Sequence, residues 1–145
     1  MDGIGESAAA AARDLRVVFS RLRRRLRDVR IDGDLTPSQT AVINRLWKEG
    51  ASSASALADA EQVRPQSMAT IVAALDQCGL ITRTPDPEDG RRQVLSLSKA
   101  GRQRAESDHK VREEWLARTM QDRYSEPERR IILEALSLLE RLTEQ

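Results

Sequence analysis

Aromatic side chains are scarce in this 145-residue chain, because phenylalanine, tyrosine and tryptophan together make up 3% of it. Proteins that bind single-stranded nucleic acids without sequence preference stack bases on several exposed rings, so the composition argues against that class. Cysteine and histidine occur once each, as Cys78 and His109. A single cysteine cannot form an intrachain disulfide, and a zinc site needs about three or four ligands. We therefore expect no disulfide and no metal.

Other absences concern membranes and enzymes. No apolar run approaches the roughly 18 residues of a membrane helix, and the first residues lack the basic and apolar regions of a secretory signal. This pattern predicts a cytoplasmic protein with no membrane partner. The chain contains neither a phosphate loop nor a G-x-G-x-x-G motif, and its one cysteine and one histidine stand in unrelated contexts. We predict that it is not an enzyme and needs no cofactor.

The net charge of +1 conceals an uneven distribution. Residues 13–30 carry eight arginines against Asp14 and Asp28, whereas residues 106–145 carry ten acids against seven bases. Binding depends on the local field, so a near-neutral protein can still present a positive face. Three interpretations of the arginine run at 21–27 stay open: a solvated face, a surface that pairs with acids in a dimer, or a patch that contacts the DNA backbone.

Apolar spacing predicts helices at the start of the chain. Residues 7–30 repeat apolar side chains every three or four positions, and residues 31–35, with Gly33 and two aspartates, break that pattern. A second helix starts at Thr36, which forms a capping box with Gln39, and it ends at Gly50. Its stripe of Val42, Ile43, Leu46 and Trp47 is predicted to be buried.

Two shorter helices follow, over residues 53–61 and 64–78, joined by a tight turn at 62–63. Met68, Ile71, Val72 and Leu75 form the inner stripe of the second, and Gly79 stands where a left-handed residue is needed. The polar residues of its first turns are predicted to face outward, toward base edges in a major groove: Arg64, Gln66, Ser67 and Thr70. Cys78 falls on the apolar stripe, so we interpret it as a buried, inert thiol rather than a redox sensor.

The pattern then changes to that of strands, over residues 80–85 and 92–97, with turn residues at 86–91 between them. This predicts a β-hairpin with Arg91 and Arg92 at its tip, where arginine suits a DNA minor groove, and with Asp89 supporting Arg91. A long helix from about Ser98 to 122 and a last helix from Ser125 complete the chain. The predicted fold is mainly α with a small β-hairpin wing (α+β), a winged helix-turn-helix.

Three segments together resemble the MarR family of bacterial regulators. They are LTPSQTAVINRL at 35–46, LADAEQVRPQSMATIVAALDQC at 57–78 and GLITRTPDPEDGRRQVLSLSKAG at 79–101. The family's wing motif is Asp-x-Arg followed by a strand that ends in Leu-Thr. Here the motif reads Asp89-Gly90-Arg91, and Ser98 takes the place of the threonine as a helix N-cap. The resemblance covers essentially the whole chain.

The resemblance implies a symmetric homodimer that binds double-stranded DNA at a pseudo-palindromic operator, usually as a repressor. It implies that residues 1–34 and 101–145 form the dimerisation region around a DNA-binding lobe at 35–100. The apolar stripes of these flanking helices then supply the dimer contacts: Leu15, Phe19, Leu22, Ile132, Leu136 and Leu139. Many relatives have a long basic residue where Thr70 stands, and Ser or Thr where Ala69 stands.

Members of the family often bind small aromatic effectors, so such a molecule is a candidate partner. Trp47, Trp115 and Met120 are candidates for lining its cavity, although core packing explains each of them taken singly. We assign no effector-binding residue. The alternative function is a dimeric protein-interaction module that has lost specific DNA binding, an interpretation that the missing basic residue at position 70 keeps open.

Overall fold

The computed structural model describes residues 3–29, 31, 33 and 35–145, and these residues form two units, Met1–His109 and Lys110–Gln145. In the first unit lie α1 (Glu6–Arg27), α2 (Pro37–Glu49), α3 (Ala54–Glu61) and α4 (Pro65–Gln77). The same unit holds β1 (Ser52–Ser53), β2 (Ile81–Pro85) and β3 (Gln93–Leu97). Helix α5 (Lys99–Arg123) starts in the first unit and ends in the second, which also contains α6 (Glu126–Glu140).

The helix starts follow their capping residues. Thr36 and Gln39 form the predicted capping box at α2, and Ser125 and Glu128 form another at α6. Helix α1 ends at Arg27, three residues before the predicted end. Arg30 and the two aspartates of the predicted break, Asp32 and Asp34, lie outside the described residues.

The predicted hairpin is part of a three-stranded antiparallel sheet with the order β1-β3-β2. Strands β2 and β3 pair from Ile81 opposite Leu97 to Pro85 opposite Gln93. The sequence did not predict β1, in which Ser53 pairs with Val94, because two serines carry no alternating pattern. Strand β1 brings the start of α3 next to β3.

The core lies inside the first unit and joins the helix pair to the sheet. Val42, Ile43 and Leu46 of α2 pack there, so the predicted stripe of that helix is confirmed, with Trp47 half-buried beside it. The other buried apolar side chains come from α3, α4, the sheet and α5: Leu57, Ala58, Met68, Val72, Leu75, Ile81, Leu95, Leu97 and Ala105. Neither α1 nor α6 buries a residue in the single chain.

The prediction that Cys78 is buried is wrong, because its side chain is exposed. Helix α4 ends at Gln77 and Cys78 is its C-cap, so Cys78 lies just beyond the helix whose apolar stripe it was predicted to extend. Gly79 has φ +71, the left-handed conformation predicted for it. Among the described residues, no helix combines the length and apolar character needed to cross a membrane.

Candidate nucleic-acid interface

Helix α4 presents one apolar and one polar face. Met68, Val72 and Leu75 are buried against the core, which fixes the helix on the lobe. Of the residues predicted to contact DNA, the four in this segment are all exposed, on the first two turns or at the N-cap: Arg64, Gln66, Ser67 and Thr70. Helix α3 is held behind α4 by buried Leu57 and Ala58. A left-handed residue, Gln62 with φ 54, makes the turn between the two helices.

The Thr70 hydroxyl is already engaged within the helix. Its Oγ1 donates a hydrogen bond to the backbone carbonyl of Gln66, at 3.2 Å. A hydroxyl has one proton and two lone pairs, so in this rotamer Thr70 accepts further hydrogen bonds but cannot donate one. In a major groove it therefore matches the amino groups of adenine and cytosine or the thymine methyl, rather than the acceptors of guanine.

The wing tip is organised by backbone hydrogen bonds. The Asp89 carboxylate accepts from the backbone N–H of Arg91 at 3.1 Å, and the Asp89 carbonyl accepts from the N–H of Arg92 at 3.0 Å. Asp89 thus shapes the main chain instead of pairing with the Arg91 guanidinium. Arg91 and Arg92 are exposed, and neither makes an ion pair within the described part of the chain. Their positive charges are free to meet an anion.

An arginine contact that the sequence did not predict connects the wing to α4. Arg83 on β2 donates from Nε to Oδ2 of Asp76 at 3.0 Å, and from Nη1 to Oε1 of Gln93 at 3.3 Å. Asp76 belongs to the last turn of α4, so the ion pair bridges α4 and the hairpin. No local pattern indicates it, because the partners are brought together by the sheet.

The apolar side chains predicted to make dimer contacts are largely uncovered in the single chain. On α1, Phe19 is 57% exposed and Leu22 is exposed, while Leu15 is half-buried. On α6, considered separately, Leu136 is 53% exposed, Leu139 is exposed and Ile132 is half-buried. Contiguous exposed apolar surface marks interaction sites in proteins. Each helix therefore offers a face that a partner can cover.

The arginines of α1 also face solvent. All five members of the run at 21–27 are exposed, and the Arg23 guanidinium carbon lies 5.8 Å from the centre of the Phe19 ring. His109 is exposed, and its ring lies 5.0 Å from that of Trp47. Trp115 and Met120, in the second unit, are half-buried. Among the described residues, no three His, Cys, Asp or Glu side chains gather as a metal site.

One buried charge was not predicted. Asp108 on α5 is 1% exposed and accepts a hydrogen bond through Oδ1 from Arg104 Nε at 3.1 Å. Its other carboxylate oxygen, Oδ2, is also buried, and no residue that the structure describes donates a hydrogen bond to it. An unsatisfied buried acceptor costs about 1–3 kcal/mol, so such groups commonly have a role beyond packing.

The chain is similar to known proteins both in sequence and in structure. A model of the MarR family matches residues 35–92. An HTH-type transcriptional regulator of Mycobacterium bovis is 34% identical over 140 residues, which is 97% of this chain and 97% of the relative. A transcriptional regulator from Pseudomonas aeruginosa has a similar structure, with a TM-score of 0.78, 32% identity and coverage of 98% of this chain and 100% of that one. The regulator Tm0710 from Thermotoga maritima has a TM-score of 0.73 and 26% identity, covering 94% and 99%.

Proposed function

Because the chain belongs to the MarR family of winged-helix, DNA-binding transcription regulators, which are not enzymes, we propose that it is a sequence-specific repressor. The observation that carries this proposal is the combination of an exposed polar face on α4 with two exposed guanidinium groups at the wing tip. The polar face suits base edges in a major groove. Arginine on a thin hairpin suits the negative potential of a minor groove.

In this proposal the acting species is a homodimer. MarR-type regulators act as dimers, and the exposed apolar faces of α1 and α6 supply surface for that contact here. Two copies of α4 related by a twofold axis would enter successive major grooves, about one helical turn apart. The operator is therefore a pseudo-palindrome.

We assign base contacts to Gln66, Ser67 and Thr70, and a contact with the adjoining DNA backbone to Arg64. Since Thr70 can only accept in its present rotamer, we expect adenine, cytosine or thymine rather than guanine at the position it faces. Arg91 reads the minor groove and Arg92 contacts phosphate. Repression then follows because a dimer that covers two major grooves and the adjoining minor grooves excludes other proteins from a promoter.

Release by a small aromatic effector is the remaining part of the proposal. The Trp47–His109 ring pair offers an aromatic surface against which the ring of an effector can pack. An effector that favours one dimer geometry would change the distance between the two copies of α4. Titrating phenol and benzoate into the protein–DNA complex, with anisotropy as the readout, tests this. Undiminished binding with either compound at millimolar concentration argues against release by this class.

The experiment that tests the DNA-binding function compares Arg91→Ala with the native protein. Both are titrated against the DNA upstream of the gene and against a scrambled duplex at two salt concentrations. The native protein should prefer the upstream DNA by about 10³-fold or more. Arg91→Ala should bind more weakly. The slope of its log affinity against log salt concentration should decrease by about the amount expected for one lost phosphate contact per protomer.

Arg118→Ala is the matched control, because it also removes one exposed arginine, on α5, where Glu114 pairs with it. It should leave the affinity unchanged. If Arg91→Ala retains native affinity and native function in cells, the wing does not read DNA, and the interaction-module alternative gains support.

A further inference from the structure

The basic residues of α1 have no role in the DNA contacts assigned above. Helix α1 contains seven arginines and no lysine, against two acids, Glu6 and Asp14. At 3.6 residues per turn, five of the arginines fall on one side of the helix, within about a third of its circumference. All five are exposed, and we call them the basic face of α1: Arg13, Arg16, Arg23, Arg24 and Arg27.

The charges of the basic face are not balanced in the single chain. None of its guanidinium groups makes an ion pair with a residue that the structure describes. Arg23 and Arg27 stand four positions apart, a spacing at which like charges repel and weaken a helix. The helix dipole favours basic residues in the last turn, which accounts for Arg24 and Arg27. It does not account for Arg13, Arg16 or Arg23, so an external anion is the better explanation of the face.

A second copy of the chain does not supply the missing negative charge. The whole chain has a net charge of +1, and its residues 110–145 carry eight acids against seven bases. Some of those acids already have partners, since Glu114 pairs with Arg118 and Glu126 pairs with Arg129. A partner subunit therefore cannot neutralise five guanidinium groups.

The apolar side of α1 argues against a membrane as the partner. Basic amphipathic helices bind anionic membranes by burying their apolar face among the lipids. In α1 that face contains Phe19 and Leu22, which the proposed dimer covers. The basic face lies on another side of the helix and stays open in the dimer. A partner that binds through charge alone fits this surface, and guanidinium groups bind phosphate oxygens through paired hydrogen bonds.

We propose that the basic face of α1 binds the phosphate backbone of a second DNA duplex while α4 and the wing hold the operator, an inference that rests on the DNA-binding function proposed above. From Arg13 to Arg27 the face is about 21 Å long at 1.5 Å per residue. Duplex DNA carries one negative charge per about 1.7 Å of its axis, so several phosphates lie within reach of the face. Helix α1 buries none of its residues in the single chain, so its surface is separate from the core that holds α4. One dimer thus links its operator to another stretch of DNA.

A capture assay with two duplexes tests this directly. A duplex of scrambled sequence is immobilised, and the dimer is added with one equivalent of a fluorescent operator duplex already bound. Fluorescence is retained only where one dimer holds both duplexes. The native protein should retain the operator, and the retained amount should fall steeply with salt because phosphate contacts hold the second duplex.

The variant Arg16→Gln/Arg27→Gln removes two charges from the basic face and leaves the contact between Arg23 and the Phe19 ring in place. Glutamine has nearly the helix propensity of arginine, so the variant should melt at the native temperature. Its affinity for the immobilised duplex should be at least about tenfold lower near physiological salt. The salt slope of capture should decrease by about 1.8, since each lost phosphate contact contributes about 0.9. Its affinity for the operator in solution should equal that of the native protein.

Two controls separate the basic face from other effects of charge. Arg21→Gln/Arg25→Gln removes the same charge from the same helix, outside the basic face, and should capture within about twofold of the native protein. Arg16→Lys/Arg27→Lys keeps the two charges without the guanidinium groups. Because counterion release depends on charge, this variant should keep the native salt slope and capture within about threefold of the native protein.

The outcomes distinguish this inference from the function on which it rests. Native capture by Arg16→Gln/Arg27→Gln would overturn the role of the basic face while leaving operator binding intact, and so would a native protein that binds the operator but captures nothing. Equal losses of capture and of operator affinity would assign the face to phosphates that flank the operator and contradict a second duplex. Failure of the native protein to prefer any duplex would instead refute the DNA-binding function itself.

Vesicles of phosphatidylglycerol distinguish DNA from a membrane. The native protein should not sediment with them at physiological salt. Sedimentation with vesicles that Arg16→Gln/Arg27→Gln abolishes, together with native capture of DNA by that variant, would assign the basic face to a membrane and contradict the proposal.

Discussion

Replacing Gly101 by alanine should destabilise the DNA-binding lobe, because α5 passes very close to the strand that carries the wing. A Cβ at this position would collide with the backbone carbonyl oxygen of Leu80 and lie 3.2 Å from Cδ2 of Leu97. The same carbonyl accepts a hydrogen bond from the N–H of Ser98 at 3.0 Å. Ser98 in turn caps α5 by accepting from the N–H of Gly101 at 3.1 Å. One methyl group therefore disturbs a whole junction between wing and helix.

The size of the effect follows from three contributions to the free energy of unfolding. Overpacking against backbone costs about 1–3 kcal/mol. Weakening the Ser98–Leu80 hydrogen bond costs about 0.5–1.5 kcal/mol more. Alanine regains about 1 kcal/mol through its higher helix propensity. The net loss is about 2 kcal/mol, which for a chain of this size lowers the melting temperature by about 4–8 °C.

Thermal unfolding followed by circular dichroism measures this, at one protein concentration because dimer stability depends on concentration. Gly90→Ala is the control, since a Cβ there meets nothing within 4 Å. It should change the melting temperature by less than about 2 °C. A Gly101→Ala protein that melts at or above the native temperature would refute the close approach of α5 to Leu80.

Two further predictions concern α6 and the dimer. The backbone N–H and the hydroxyl of Ser125 donate hydrogen bonds to Glu128 and hold its pKa below its ordinary value. This contact therefore stabilises the fold above the pKa of Glu128 in the unfolded chain, about 4.3. The stabilisation is lost as the pH falls through the lower pKa of Glu128 in the folded protein. Glu128→Gln should therefore have a lower melting temperature than the native protein at pH 7 and the same melting temperature in strong acid. A lower melting temperature that persists in acid, or an equal decrease in the control Glu134→Gln, contradicts this. Phe19→Glu and Leu136→Glu should each convert a dimer, near twice 16.3 kDa by sedimentation equilibrium, into a monomer. A native protein that sediments as a monomer would contradict the dimer proposal.

The parts of the fold that sequence predicted are those set by local chemistry. The capping box at Thr36, the left-handed Gly79 and the N-cap at Ser98 each follow from side chains within a few residues of the helix end. The wing follows from a change of apolar period and from turn residues. For the same reason the spacing of apolar residues along α4 is enough to separate its polar face from its buried stripe.

The parts that escaped prediction depend on distant segments. Cys78 is exposed because α4 ends one residue earlier than its apolar pattern suggests. The Arg83–Asp76 ion pair requires the sheet to bring β2 back to α4. Similarly, no local pattern shows that Gly101 approaches Leu80 or that Asp108 is buried. Tertiary packing decides all of these.

The most direct test of the account is selection of binding sites by the purified native protein from a library of random duplexes, followed by sequencing. The account predicts enrichment of one pseudo-palindrome whose half-sites are about one helical turn, roughly 10 base pairs, apart. The Thr70→Ala variant should lose its base preference at one position of each half-site. At that position the native protein should select adenine, cytosine or thymine. Enrichment of no sequence over the starting library, or of a single site without twofold symmetry, would contradict a dimer that reads DNA through α4 and the wing.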